Sequence, residues 1–154
     1  MPPEGHVDAD LIALRRKTAA LVAAVNASDV SGVLDVWADD GVLMPPGNPA
    51  VRGRAALLAY FGSLFRRARF AFEFVSSDIE LAADVAFERV SYTVTTWPSS
   101  GQSPLEDAGK GLHVHRRQRD GEQAVTRFRG APSGYFYWWN DHERPRHHSP
   151  AGRL

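Results

Sequence analysis

The apolar residues of this chain change their period part-way along, and that change limits the fold more than any other feature. Up to Phe65 they recur at helical spacing. Phe70, Phe72 and Phe74 then alternate with Ala71 and Glu73, the two-residue period of a strand. Three helical stretches followed by a run of antiparallel strands imply an α+β fold. A strongly bent sheet wrapped round the N-terminal helices would leave a concave cavity, where a pocket is expected.

The helical half divides at its polar punctuation. Met1 to Val7, with Pro2, Pro3 and Gly5, reads as a loose lead-in. A first helix is expected behind Asp8 or Asp10, with a stripe of Leu11, Leu14, Thr18, Leu21, Val22 and Val25. Ser28 is placed to cap a second helix, with Asp29 at its positive end and Val30, Val33, Leu34 and Trp37 on its buried side. Val42-Leu43-Met44 is too short for a helix and is stopped by Pro45-Pro46-Gly47, so it reads as a short strand. A third helix carries Leu57, Tyr60, Phe61, Leu64 and Phe65.

In the strand half, a long strand runs to Leu81 and turns at Ala82-Ala83-Asp84. The next, Val85 to Trp97, presents Ala86, Glu88, Val90, Tyr92 and Val94 on one face. Pro98 to Gly109 reads as a polar loop and Gly111 to Gln118 as strand. Asp120-Gly121 is a hairpin signal, and Ala124 to Phe128 with Tyr135 to Asn140 form a broken return strand. Residues 142–154 have the composition of a disordered tail, which leaves one domain over residues 8–141.

Charge and cysteine content exclude several function classes. Eighteen basic side chains balance eighteen acidic ones, which argues against nucleic acid or an anionic membrane as partner. With no cysteine there is no thiolate nucleophile and no Cys-ligated metal. The apolar runs are shorter than a membrane span, and the acidic N-terminus lacks a signal-peptide core, so a cytoplasmic protein is expected.

The segments AAVNASDVSGVLDVWADDGVLMPPG, VRGRAALLAYF, DVAFERVSYTVT and EDAGKGLHVHRRQRDG, in that order, resemble the SnoaL-like branch of the nuclear transport factor 2-like, or ketosteroid isomerase-like, superfamily. The resemblance implies the cone-shaped fold and a pocket for a small apolar or aromatic metabolite. It also implies a metal-free isomerase, cyclase or hydrolase, or alternatively a non-catalytic association domain, commonly a homodimer through the outer sheet face. Ketosteroid isomerase activity itself is not implied. The position of that family's carboxylate base falls on Pro45 and that of its tyrosine donor on Leu21, and neither can move a proton. The resemblance weakens after Gly121.

His113 and His115 share one strand face, and an unperturbed histidine titrates near pH 6.5, so His113 is the candidate acid/base group, with partly exposed sheet histidines as the plainer reading. No metal site and no cofactor are expected, because no further carboxylate or histidine accompanies the pair at matching spacing. Asp39-Asp40 reads as a helix exit and not as paired catalytic carboxylates. Glu88 and Arg89 point to opposite faces, and solvated charge is expected for either. Trp37, Met44, Tyr60, Phe61, Tyr92, His115, Trp139 and Asn140 are the candidate ligand-binding residues. The aromatic run Tyr135 to Trp139 cannot place every ring on one face, which suits a second copy covering the outer sheet.

Overall fold

The computed structural model describes residues 4–118 and two short strands at 136–137 and 139–140. The expected α+β architecture is present: three helices, α1 (Glu4–Asn26), α2 (Val30–Val36) and α3 (Arg54–Arg67), lie against a curved, open sheet. Helix α1 begins at Glu4, ahead of both aspartates expected to cap it. Asp10 is not available as a cap, because its carboxylate binds the Arg117 guanidinium at 2.6 Å, at the far end of the sheet.

The corner between α1 and α2 has a different capping residue from the one expected. Ser28 takes the left-handed conformation, φ 55°, with its amide bonded to Val25 O, while the Asp29 amide bonds to Ala24 O. These are the two hydrogen bonds of a Schellman ending. Asp29 then caps α2, its side chain accepting from the Gly32 amide at 3.0 Å. A left-handed residue cannot hold its side chain over the next helix as an extended one does, so the cap passes from Ser28 to Asp29.

Strands β1 (Val42–Met44) and β2 (Val51–Arg52) form a small antiparallel pair, and β1 also pairs in parallel with β6 (Phe136–Tyr137). The main sheet has the order β3-β4-β5-β7, with β3 at Ala68–Ala82, β4 at Val85–Pro98, β5 at Leu105–Arg116 and β7 at Trp139–Asn140. Part of the expected polar loop is therefore strand. The ladder runs on from Val90↔Gly111 to Thr96↔Leu105, so pairing with β4 overrides a composition unfavourable to strand.

A bulge between Phe74 and Ser76 sets the inner face of β3. Without it, the alternation that turns Phe70, Phe72 and Phe74 inward would also turn Asp78 and Glu80 inward. The extra residue reverses the parity, and Ser77, Ile79 and Leu81 follow the phenylalanines, opposite Val90, Glu88 and Ala86. The Asn26 amide lies against this edge strand, donating to Phe72 O at 2.9 Å and accepting from the Phe72 amide at 2.7 Å.

The main core joins Leu21 and Ala24 of α1 to Val33, Leu34 and Trp37 at α2, Leu43 of β1 and Leu57 and Phe61 of α3. Gly41 passes under Trp37, where a Cβ would come within 2.8 Å of the indole, so only glycine fits. A second, smaller cluster packs Leu14 and Ala86 with Ile79 and Leu81. Between the two clusters α1 faces the sheet with Thr18.

Candidate functional site

The concave face of the sheet holds two chemically distinct sites. At the α3 end is an apolar cavity of about 210 Å³. Its walls include Leu21 and Val25 from α1, Trp37, Leu43 and Pro45 around β1, Tyr60, Phe61 and Leu64 from α3, and Phe70, Phe72, Phe74 and Val94 from the sheet. Among the described lining residues the Tyr60 phenol is the one titratable group. Burial pushes its pKa up against the lowering effect of the Arg67 charge, so it stays protonated at neutral pH.

At the other end the strand register makes a polar cluster. His113 lies directly opposite Glu88, and His115 lies opposite Ala86, the next inward position. Cross-strand neighbours on one face are within side-chain reach, so two adjacent strands bring all three groups together. Glu88 Oε2 meets His113 Nδ1 at 3.0 Å and His115 Nε2 at 3.1 Å and accepts from Thr18 Oγ1 at 2.7 Å. Glu88 Oε1 accepts from Ser77 Oγ at 2.7 Å. The three titratable residues are 0–2% exposed.

Burial alone would raise the Glu88 pKa. Hydrogen bonds from His113, His115 and Thr18 reverse this and hold the carboxyl well below its usual range. Burial lowers the His113 pKa, while the neighbouring carboxylate pulls the other way and His115 adds to the lowering. With His113 neutral, hydrogen-bond donors hold Glu88 ionised, and a cationic partner is not required. Each imidazole presents an N–H to the same oxygen, which assigns Nδ1–H to His113 and Nε2–H to His115.

Phe74 separates the two sites. Its ring lines the cavity, and its centroid lies 5.6 Å from that of His113. A shallow cleft between α1 and β3, with Thr18, Ser77 and Glu88 among its walls, approaches the polar cluster from the other side.

Of the candidate residues, Trp37, Tyr60 and Phe61 line the cavity together. Met44 does not, because it alternates with Leu43 and Pro45, which do. Tyr92 is buried against Phe72, with centroids 4.7 Å apart, and its pKa is pushed up to about 12 by burial and the Asp107 charge. His113 and His115 lie beyond Phe74 in the polar cluster and are not partly exposed. Trp139 and Asn140 pair in backbone with Lys110 and Gly109, but their side chains lie outside the described residues. The same holds for the Tyr135 to Trp139 rings, on which the expected dimer face rests.

Solvated charge describes Arg89, which forms an exposed ion pair with Asp78. It does not describe Glu88. The histidine pair does have a third potential ligand, and it comes from the neighbouring strand, where sequence spacing carries no information. The signal available was parity: Glu88 shares the inward register of Ala86, Val90 and Tyr92, and Thr18 lies in the apolar stripe of α1. Asp39 and Asp40 are exposed, with Arg54 and Arg116 as their ion-pair partners at 3.9 and 3.6 Å.

The sequence profile of the SnoaL-like domain matches residues 18–128, well over half the chain. This chain belongs to the SnoaL-like domain family. Within the nuclear transport factor 2-like superfamily, the SnoaL-like domain here is similar to a protein of unknown function from Mycobacterium tuberculosis, at 24% identity over 85% of this chain and 76% of that one, with a TM-score of 0.69. A ketosteroid isomerase-like protein from Erwinia carotovora is 28% identical over 71% of this chain and 85% of its own, with a TM-score of 0.63. A protein from Catenulispora acidiphila in complex with S-DNPA is 17% identical over 87% and 95% of the two chains, with a TM-score of 0.69. No curated protein matches in sequence. Among the described residues no helix is long and apolar enough to cross a membrane.

Pro45 and Leu21, which the sequence resemblance sets at the positions of the ketosteroid isomerase proton acceptor and phenol donor, both line the cavity. The SnoaL-like domain here has an apolar wall at each of those positions.

Proposed function

We propose that this SnoaL-like domain binds a small aromatic or apolar molecule in the cavity between α3 and the sheet, with the Tyr60 phenol as a polar anchor. The supporting observation is the lining, apolar in every wall apart from a few groups such as the Tyr60 phenol. Size narrows the ligand. An apolar cavity of about 150 Å³ holds benzene, so 210 Å³ suits one or two fused rings and is small for a four-ring steroid. The raised pKa of Tyr60 keeps a hydrogen to donate to a ligand carbonyl or hydroxyl oxygen. Isomerisation, cyclisation or hydrolysis needs a proton acceptor in the cavity, and the described lining offers none. Binding is therefore the better-supported reading. A protein of the same fold in complex with S-DNPA is in line with it.

The test is a thermal-shift titration with 1-naphthol. At a hundred times its dissociation constant a ligand adds about 2.7 kcal/mol, which raises Tm by about 5–10 °C for a chain of this length. Leu64→Trp, which fills the cavity, should remove the shift, and Tyr60→Phe should reduce it. Saturating 1-naphthol with no effect on Tm, or an equal shift in Leu64→Trp, refutes the proposal.

A further inference from the structure

We infer that Glu88, His113 and His115 form a binding site for a divalent transition metal of the Zn²⁺ or Co²⁺ kind. Two imidazoles and one carboxylate are a donor set such ions take, and here the strand register brings them together. The potential ligand atoms of the three residues all lie within 4.8 Å of one another.

The distances come close to those of a coordination shell. Bonds of 2.0–2.2 Å from a metal to N and O ligands imply ligand–ligand edges of about 3.3–3.6 Å in a tetrahedral site, a few tenths of an ångström wider than the spacing found here. His113 Nδ1 and His115 Nε2 lie 3.0 and 3.1 Å from the single atom Glu88 Oε2. Both rings converge on that oxygen instead of dividing between the two carboxylate oxygens, and this clusters three donors around one point. The outer contacts suit the same role. Ser77 holds Oε1 at 2.7 Å and Thr18 holds Oε2 at 2.7 Å, which fixes the carboxylate as outer-shell partners of metal ligands do.

Charge points the same way. Among the described residues the carboxylate's partners are two hydroxyls and two imidazoles, with no lysine or arginine among them. A divalent ion would set a positive charge beside a buried carboxylate that hydrogen bonds alone hold in this structure. To bind an ion, each ring would offer it the lone pair of the nitrogen that faces Glu88. The α1–β3 cleft, with Thr18, Ser77 and Glu88 among its walls, is the side from which an ion would reach the cluster. Phe74 separates the ion from the apolar cavity, so this inference stands independently of the ligand proposed there.

The experiment uses the full chain carrying His142→Ala, His147→Ala and His148→Ala, which removes the tail histidines as competing ligands. After chelator treatment and dialysis it is titrated with Co²⁺ and followed by visible absorption, with Zn²⁺ and Tm in parallel. One equivalent should bind, with absorption in the visible region and a Tm rise of several degrees. Glu88→Gln, which keeps the side-chain shape, should weaken binding at least tenfold, and His115→Ala should abolish it. Circular dichroism establishes that each variant is folded, and Glu88→Gln alone decides the matter where His115→Ala is not. Absence of saturable uptake in the tail variant overturns the inference, as does uptake with unchanged affinity in folded Glu88→Gln.

Discussion

Replacing Glu88 by leucine should be among the most damaging single changes on the sheet, while glutamine at the same place should be tolerated. The carboxylate is the common acceptor for four donors: Thr18, Ser77, His113 and His115. In Glu88→Leu the two hydroxyls can rotate towards other acceptors, but the two imidazole N–H groups, on residues 1% and 2% exposed, cannot reach water. Each buried donor left without a partner costs about 1–3 kcal/mol, so the loss is about 2–6 kcal/mol. At 2–4 °C per kcal/mol this lowers Tm by roughly 5–20 °C. Glu88→Gln keeps an oxygen where three donors meet and turns its amide towards the Ser77 hydroxyl, which can accept. It loses charge-assisted strength but also sheds the cost of burying a charge, so the net change is about 1 kcal/mol or less. Urea titration of metal-free protein, followed by circular dichroism, measures both. Equal stability of the two variants would refute the claim that Glu88 holds this end of the sheet together by accepting hydrogen bonds.

Three further outcomes are expected from this and other contacts. Metal-free protein should lose stability on acidification, beginning below the ordinary histidine pKa of 6.5 and steepening below the carboxylate value of 4.5. Both folded-state pKa values are lowered, so the unfolded chain binds more protons across that window; a Tm that is flat from pH 7 to pH 4 would contradict this. Ser28→Gly should stabilise by about 0.5–1 kcal/mol, because the left-handed ending of α1 favours glycine, and a lower urea midpoint would oppose it. Asn26→Ala should cost about 1–3 kcal/mol, since both amide bonds to the Phe72 backbone are lost, and an unchanged midpoint would show that water replaces them.

How much was legible in the sequence depended on whether the deciding interaction was local. Helical spacing identified α2 and α3, and the Pro45-Pro46-Gly47 stop identified β1, because those signals act within a few residues. The capping of α2 was read one residue early, since choosing Asp29 over Ser28 depends on how α1 ends. Residues 105–109 read as loop because their strand exists through pairing with β4, some ten residues away in sequence. The cavity walls Trp37, Tyr60 and Phe61 were readable as aromatic positions on apolar stripes. Glu88 was not, because its partners Thr18 and His113 are 70 and 25 residues away. A bulge that reverses parity between Phe74 and Ser77 was equally silent, although Ile79 and Leu81 fall out of phase with the three phenylalanines.

Calorimetric titration with 1-naphthol at several temperatures tests the cavity most directly. The account predicts one site per chain with a negative heat-capacity change, the mark of apolar surface buried on binding, and the loss of that site in Leu64→Trp. A heat-capacity change near zero, or a site that survives Leu64→Trp, would contradict it.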